Sequence, residues 1–279
     1  IKLGSEYTKF KGTPYWYDST GTQDTAKICS DNLFAIDKQS GLKEWEYQGG
    51  KIINTTIAIG GGRVYFVEAN SSSLRNQSTS RIASSSLWSS LRLVALNQQT
   101  GAKIWSKTIN INKSTYPVVF FLSYAKSRLV LSYTTNRYYV DAYSSNSGSK
   151  VWSKNHSWNR DHHGGHMYHP LIVGDAVIVE PYGYKLSNGV VAHRGLPARG
   201  GCSTMSASKN TVHYINWDYD KGSMYFWDLN DNRRRLMVGS RSSCWLSLIS
   251  GNGMILSPTA SSGCRCRYPI QTSIGFMRR

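Results

Sequence analysis

A histidine-rich segment is the part of this 279-residue sequence whose residue types and spacing are best suited to chemistry. Four of the seven histidines fall within eight residues: His162, His163, His166 and His169. Neutral imidazoles at this density bind transition metals such as Zn²⁺ or Cu²⁺. Two glycines between His163 and His166 allow the backbone to bring these imidazoles together. We therefore predict a metal site at the four histidines. The alternative is that they hydrogen-bond neighbouring elements and line a polar channel.

The same segment also carries groups that suit general acid–base chemistry. Lyases that act on uronic acids remove the C5 proton with a His or a Tyr, and they neutralise the substrate carboxylate with positive groups. His163, His166 and Tyr168 are therefore candidate catalytic residues, and Arg160 is a candidate for binding the carboxylate. A positively charged protein rich in aromatic residues fits an anionic polysaccharide as the substrate.

Positive charge is in large excess. The chain has 33 Lys and Arg against 16 Asp and Glu, a formal charge of +17, and every charged residue after Asp231 is an arginine. Guanidinium groups bind carboxylate, sulfate and phosphate through paired hydrogen bonds. Besides Arg160, the candidate ligand-binding residues are Arg233, Arg234, Arg235, Arg241, Arg265 and Arg267. The alternative is that these arginines face different directions and form no common patch.

This charge indicates an anionic partner. The sequence contains no nucleic-acid-binding motif, so we expect an anionic polysaccharide or an acidic protein surface rather than a nucleic acid. No stretch approaches the roughly eighteen consecutive apolar residues of a membrane-spanning helix, so we expect no membrane span. The chain begins at Ile1 without Met or a signal-peptide pattern, which suggests a mature or trimmed chain.

Cysteine usage bears on the compartment. Four of the five cysteines lie in the last third of the chain, at Cys202, Cys244, Cys264 and Cys266. This density is typical of disulfides in an oxidising compartment, so we predict an extracellular or periplasmic location. We also predict two bridges, one from Cys202 and one from Cys244 to the Cys264/Cys266 pair. A Cys/His metal site that uses that pair is the alternative. We expect Cys29 to be either buried and inert or paired elsewhere.

Three similar segments show which elements must hold these residues in place. Leu33–Trp45, Leu93–Trp105 and Val140–Trp152 each contain a glycine four residues before the tryptophan. Each segment predicts a strand, a polar turn closed by the glycine and a second strand. The glycine spacing gives a repeating unit of roughly 40–50 residues, which is the period of propellers and solenoids.

Further strand pairs between these hairpins give four strands to each repeat. The sequence therefore predicts an all-β fold, a single β-propeller domain over residues 1–279 with six to seven four-stranded blades. A β-sandwich and a two-sheet barrel are the alternatives. The predicted hairpins lie near residues 33–45, 93–105, 140–152, 182–193 and 224–238, and the final blade spans residues 244–277. The histidine-rich segment then connects two blades, and such loops line one mouth of a propeller's central channel.

The pattern Ala-x-Asx-x-x-Ser/Thr-Gly-x-x-x-Trp at residues 35–45 and 95–105 resembles the PQQ-like propeller repeat. Quinoprotein dehydrogenases share this repeat, as does the propeller lipoprotein that helps to assemble outer-membrane β-barrels. The resemblance implies that Trp45, Trp105 and Trp152 dock neighbouring blades together. In the fourth repeat, His193 stands at the position of this tryptophan. The portion from Asp161 onwards resembles a secreted bacterial branch of this family whose activity is unknown.

PQQ itself is not expected as a cofactor, because the sequence lacks the adjacent Cys-Cys pair and the calcium ligands of the quinoprotein dehydrogenases. Two function hypotheses follow. The first is a secreted binding or scaffold module that presents a basic, aromatic-rich face to an anionic glycan or a partner protein. The second is a His/Tyr-dependent enzyme of the lyase type, with or without a metal, that acts on an anionic polysaccharide at the histidine-rich segment.

Overall fold

The computed structural model describes residues 27–74, 77, 81–82, 84–112, 117, 119–135, 137–157, 169–196, 205–216, 223–237, 248–258 and 273–277. In these ranges the regular structure consists of antiparallel β-strands and a few short 3-10 turns. The chain divides into two compact units, Ile1–Ser157 and Trp158–Arg279. No helix in the described ranges is long and apolar enough to cross a membrane.

The first unit contains eleven described strands. They are β1 (Lys27–Ile36), β2 (Lys43–Ile53), β3 (Ala58–Gly60), β4 (Arg63–Ala69), β5 (Arg81–Ile82), β6 (Leu91–Asn97), β7 (Lys103–Thr108), β8 (Val119–Ala125), β9 (Arg128–Thr134), β10 (Tyr138–Ser144) and β11 (Lys150–His156). Seven strands form one sheet in the order β5-β1-β2-β4-β6-β7, with β3 paired to β4. The other four form a sheet in the order β11-β10-β9-β8.

The second unit also contains eleven described strands. They are β12 (Leu171–Val173), β13 (Ala176–Val179), β14 (Tyr182–Lys185), β15 (Val191–Arg194), β16 (Ser206–Ala207), β17 (Thr211–Asn216), β18 (Ser223–Asp228), β19 (Arg233–Met237), β20 (Ile249–Gly251), β21 (Met254–Ser257) and β22 (Ile274–Met277). They form three sheets, β12 to β15, β16 to β19 and β20 to β22, each in chain order.

The described strands fall into six repeats. Repeat 1 is the hairpin β1–β2, and repeat 2 consists of β3, β4, β6 and β7. Repeats 3, 4 and 5 are the four-stranded sheets in chain order, and repeat 6 is the sheet β20 to β22. Five of these repeats contain a hairpin at a predicted position, namely β1–β2, β6–β7, β10–β11, β14–β15 and β18–β19.

Repeat 2 shows why the strands are apolar on both faces. Tyr65 and Val67 of β4 belong to a buried cluster that continues into β8 and β9. The side chain between them, Phe66, lies in a separate buried cluster with Ile52, against which Trp45 packs. Since successive side chains of a strand point to opposite faces, both faces of this sheet are covered. The Tyr65 face packs against β8 and β9 of the other sheet, and the Phe66 face packs against side chains of β1 and β2 in the same sheet.

Each predicted hairpin turn of the first unit closes on a glycine in the left-handed region. The φ angle is +71° at Gly41, +68° at Gly101 and +71° at Gly148. The N–H of each glycine donates to the carbonyl four residues earlier, at 2.8 or 2.9 Å. Side-chain oxygens of Asp37 and Asn97 accept further backbone N–H groups within their turns. A residue with a Cβ is strained at this φ, which explains why glycine recurs.

Repeats 1 and 2 are joined more closely than the sequence predicts. Besides β1, β2 also pairs with β4, through Lys51–Ala69 and Ile52–Glu68, so the two repeats share a sheet. Gly50 permits this approach, because a Cβ there would lie 2.4 Å from the carbonyl oxygen of Ala69. The all-β fold with four-stranded antiparallel sheets is confirmed, whereas the single domain over residues 1–279 and the number of blades stay predictions.

Candidate functional site

The histidine-rich segment lies mostly outside the described residues. Of its predicted metal ligands and catalytic groups, His162, His163, His166 and Tyr168 lie there, as does Arg160. His169 is described and is exposed just before β12. In the part of the chain that the structure describes, no group of three or more His, Cys, Asp or Glu side chains could hold a metal ion. The metal site and the catalytic site therefore stay predictions.

Most of the cysteines also lie outside the described residues. Cys202, Cys244, Cys264 and Cys266 lie outside the described residues, so the two disulfides also stay predictions. Cys29 on β1 is a free, buried thiol. Burial raises its pKa to about 12, because the thiolate would lose its hydration there. The structure therefore shows Cys29 as a free, buried thiol rather than a paired one.

Three of the predicted ligand-binding arginines lie on β19. Arg233, Arg234 and Arg235 are all exposed, whereas Arg241, Arg265 and Arg267 fall outside the described residues. The Arg235 guanidinium lies 2.7 Å from an Asp231 oxygen and 3.3 Å from an Asp228 oxygen. A hydrogen bond from Arg235 lowers the pKa of Asp231. Arg235 is therefore paired with two carboxylates of its own repeat.

Basic residues also recur on other strands, which the sequence reasoning missed. The strands β7, β11, β15 and β19, here called the outer strands, each lie at the end of their sheet. They carry eight Lys and Arg and no Asp or Glu: Lys103, Lys107, Lys150, Lys154, Arg194, Arg233, Arg234 and Arg235. An end strand leaves one backbone edge unpaired, and positive side chains there oppose pairing with other chains. The pattern Lys-x-Trp-x-Lys at residues 103–107 and 150–154 is the signal that could have revealed this distribution.

Most of these charges are available to a partner. Lys150 pairs with the buried carboxylate of Asp141, at 2.9 Å between Nζ and Oδ2. Its charge therefore compensates a buried negative charge in repeat 3. Five other outer-strand residues form no ion pair with a described residue: Lys103, Lys107, Lys154, Arg194 and Arg233. The Arg234 guanidinium lies over the ring of Tyr225, with 5.1 Å to the ring centroid.

The repeated tryptophans connect one repeat to the turn of the next. Trp45 Nε1 donates a hydrogen bond to the carbonyl of Gln98, at 2.9 Å. Trp105 Nε1 donates in the same way to the carbonyl of Ser145, at 3.2 Å. The indoles cover the turn glycines, since a Cβ on Gly101 would lie 2.7 Å from the ring of Trp45. The predicted structural role is thus confirmed for these two tryptophans, and Trp152 is buried as well.

Repeat 4 uses a polar version of this connection. His193 stands at the tryptophan position, and its Nδ1 lies 2.9 Å from Oδ1 of Asn232 in the turn of repeat 5. Asn232 has a φ of +54° and takes the place of the turn glycine. Asparagine is one of the residues that tolerate the left-handed region. In this connection, histidine thus replaces the tryptophan and asparagine replaces the turn glycine.

A polar cleft of about 540 Å³ lies in the first unit. It is lined by the middle of β1, the last part of β2 and the end of β4 with the residues after it, including Asp31, Lys51 and Asn70. Lys51 is buried, forms an ion pair with Asp31 and donates to the carbonyl of Gln77 at 2.8 Å. The charged groups of this cleft therefore bind one another, which makes it a weak candidate for a ligand site.

A second cleft, of about 420 Å³, lies in the second unit and is lined by His213, Ser208 and the β20–β21 hairpin. His213 is fully buried, and its Nε2 lies 2.7 Å from Thr211 Oγ1. Burial lowers the pKa of His213 to about 4, so the imidazole is neutral at physiological pH. Its edge-to-face contact with Phe226 and its hydroxyl partner are typical of a satisfied core histidine.

Comparison with protein families identifies the repeats. The family model described as outer membrane protein assembly factor BamB, a PQQ-like repeat model, matches residues 29–194, which is more than half of the chain. The chain belongs to this family. A search of curated proteins found no match.

Solved structures support the same architecture. BamB from Moraxella catarrhalis is 15% identical with a TM-score of 0.54, over 85% of this chain and 64% of that one. The exotype rhamnogalacturonan lyase YesX is 13% identical with a TM-score of 0.54, over 87% of this chain and 50% of that one. A Bacillus licheniformis rhamnogalacturonan lyase is 13% identical with a TM-score of 0.52, over 80% and 49%. The chain thus spans less than two thirds of each, and the likeness confirms the β-propeller fold.

The boundary of the BamB-family match coincides with the change in the repeat. The matched residues end at Arg194, directly after His193 has replaced the tryptophan. In repeat 5 the turn glycine is replaced by Asn232, and Leu236 stands four residues later at the tryptophan position. Repeat 5 keeps the four-stranded antiparallel order of repeats 3 and 4 but lacks the glycine and tryptophan of the repeat pattern.

Proposed function

We propose that this BamB-family propeller is a secreted binding or scaffold module whose outer strands bind an anionic partner, either a carboxylated or sulfated glycan or an acidic protein surface. The observation that carries this proposal is the distribution of charge on β7, β11, β15 and β19, which hold eight basic residues and no acidic one. If the charged residues of the chain were distributed at random, some Asp or Glu residues would be expected on these strands too.

The exposure of these residues supports a binding role. Seven of the eight are exposed, and only Lys154 is half-buried. Guanidinium groups such as that of Arg233 bind carboxylate and sulfate through two hydrogen bonds, and lysines add attraction over longer distances. A single exposed ion pair is worth no more than about 1 kcal/mol, so specific binding needs several of these residues to act together.

The family supports the setting of this proposal. Its description, an outer membrane protein assembly factor, fits an extracellular or periplasmic protein that binds other proteins. The predicted disulfides between Cys202, Cys244, Cys264 and Cys266 would form in the same compartments. Mass spectrometry of the unreduced protein should then find two disulfides among these four cysteines, and free thiols there would contradict the location.

A binding panel tests the function. We expect saturable binding to polygalacturonate, to a sulfated glycan or to polyglutamate, and we expect the affinity to fall steeply as the salt concentration rises from about 0.05 M to 0.5 M, because salt screens exposed charges. A neutral glycan of the same length serves as the control. Absence of saturable binding to all three polyanions, or equal binding to the neutral glycan, would rule out the proposal.

The second candidate is an enzyme of the lyase type that uses His163, His166 and Tyr168 on an anionic polysaccharide. Its support comes from the residue types of the histidine-rich segment, and the fold of the two rhamnogalacturonan lyases is compatible with it. Incubation with uronate glycans, with and without a chelator, should generate unsaturated products that absorb in the ultraviolet. Binding without turnover would leave the scaffold proposal in place. Elemental analysis of His163→Ala/His166→Ala would show whether the segment holds a metal.

A further inference from the structure

The sequence contains two Asn-Gly pairs, and both lie in hairpin turns of the second unit. Asn188 and Gly189 belong to the turn between β14 and β15, whereas Asn252 and Gly253 form the turn between β20 and β21. An asparagine before a glycine is chemically labile, because glycine has no side chain to keep its backbone nitrogen away from the asparagine amide. The reactivity of each pair then depends on what holds these two groups.

The pair in repeat 4 is held by hydrogen bonds. Oδ1 of Asn188 accepts the N–H of Val190 at 3.0 Å. The N–H of Gly189 donates to the carbonyl of Lys185 at 2.8 Å, and Gly189 is buried. Both groups that would have to meet in a reaction of Asn188 with Gly189 are therefore engaged elsewhere.

The pair in repeat 6 lacks such bonds. Neither the side chain of Asn252 nor the N–H of Gly253 forms a hydrogen bond with a described residue, and both residues are exposed. Their φ angles of +49° and +74° are those of a two-residue type I′ turn. This turn closes the pairing of Gly251 with Met254. Within the described ranges, the pairing of β20 with β21 is thus what restrains the two groups.

We propose that Asn252 is a site of spontaneous deamidation, at which the chain modifies itself without an enzyme. The backbone nitrogen of Gly253 loses its proton to hydroxide and attacks Cγ of Asn252. A new C–N bond forms, and the side-chain nitrogen leaves as ammonia. Water then opens the resulting succinimide at either of its carbonyl groups. The products are aspartate and isoaspartate in place of Asn252, and the reaction needs no oxidant or reductant.

The isoaspartate product would alter the contact between repeats 5 and 6. Its main chain runs through the former side chain and is longer, so a two-residue turn no longer matches the Gly251–Met254 pair. Next to this pair, Ser250 Oγ donates to the Ala207 carbonyl of repeat 5 at 2.9 Å. The same hairpin lines the cleft beside buried His213. Deamidation should therefore loosen the hairpin from repeat 5. This proposal does not depend on the binding function proposed above.

Peptide mapping by mass spectrometry tests the site. The full chain is incubated at mildly alkaline pH, where more of the glycine nitrogen is deprotonated, and conversion is followed at both Asn-Gly pairs. We expect Asn252 to convert at least about tenfold faster than Asn188, because two hydrogen bonds must break before Asn188 can react. In urea the two rates should become similar. Equal rates in the native protein, or an Asn252 that converts in urea and not in buffer, would overturn the proposal.

Asn252→Gly is the matched variant for the structural effect. Glycine suits the same type I′ turn and has no side-chain amide to react. Hydrogen exchange is measured before and after the incubation for this variant and for the wild type. The amides of β20 and β21 should exchange faster in the incubated wild type and should be unchanged in the incubated variant. Unchanged exchange in a wild type whose Asn252 has converted to isoaspartate would contradict the proposed loosening.

Discussion

Gly101 lies directly against the indole of Trp45, so that a methyl group on Gly101 would come within 2.7 Å of two ring carbons. Gly41 has nearly the same φ, but a Cβ built on it meets no heavy atom of a described residue within 4 Å apart from its chain neighbours. Replacing each of these two glycines by alanine separates the cost of backbone strain from the cost of overpacking. Gly41→Ala should cost about 1 kcal/mol of unfolding free energy from left-handed strain alone. Gly101→Ala should cost about 1–3 kcal/mol more, because the methyl group overpacks the docked indole.

Urea unfolding of both variants measures the difference. Equal losses in Gly41→Ala and Gly101→Ala would mean that the indole moves away at no cost, and that the docking of Trp45 contributes little to stability.

Trp105 tests the same connection from the other side. Trp105→Phe keeps an aromatic ring and loses the hydrogen bond to the Ser145 carbonyl, so we expect a loss of about 1 kcal/mol. Trp105→Ala should cost about 3–5 kcal/mol, because it leaves a cavity between repeats 2 and 3. Ile104→Ala, next to it on β7, is the control and should stay within about 0.5 kcal/mol, because Ile104 is exposed. A Trp105→Ala loss as small as that of Ile104→Ala would contradict the docking role.

His213 makes the stability of the second unit depend on pH. Its pKa is about 4 in the folded chain and about 6.5 when unfolded, so the unfolded state binds the proton more readily. The contribution of His213 to the unfolding free energy is fully present above pH 6.5. It is lost progressively as the pH falls towards 4, by about 3 kcal/mol in total. The unfolding free energy of the wild type should thus decline between pH 6.5 and 5. His213→Gln should show a flatter dependence, and an unchanged slope in this variant would refute the assignment.

Cys29 should resist alkylation in the native protein. Burial raises the pKa of its thiol to about 12, whereas an ordinary cysteine has a pKa near 8.5, so almost no thiolate forms at pH 8. Treatment with iodoacetamide followed by peptide mapping should leave Cys29 unmodified in buffer and should modify it fully in urea. Rapid modification in buffer would show that β1 opens readily.

The sequence predicts the local elements well because their signals are local. A glycine four residues before a tryptophan specifies a turn and a strand, and the hairpins β1–β2, β6–β7 and β10–β11 follow. The shared sheet of repeats 1 and 2 is not predictable in this way. It depends on Gly50, whose close approach to Ala69 has meaning only once β2 and β4 are side by side.

The candidate site was only partly predictable for related reasons. The sequence argument considered only the charged residues after Asp231. It therefore overlooked Asp228 and Asp231, whose carboxylates bind Arg235. The connection between His193 and Asn232 joins residues that are 39 positions apart, and neither residue follows the repeat pattern. The basic outer strands became apparent only when the sheet order showed that β7, β11, β15 and β19 are end strands.

The most direct test of the proposed function compares two variants that each lose four positive charges. The first removes exposed or half-buried charges from the outer strands, in Lys103→Gln, Lys154→Gln, Arg194→Gln and Arg233→Gln. The second removes exposed charges elsewhere, in Lys38→Gln, Lys126→Gln, Lys185→Gln and Lys209→Gln. The Kd for the polyanion that the wild type binds is measured for both at one salt concentration.

If the outer strands bind the partner, the first variant should lose at least about tenfold in affinity and the second less than about twofold, because each exposed contact contributes a few tenths of a kcal/mol. Equal losses in the two variants would show that the affinity follows net charge alone, and the outer strands would then have no special role.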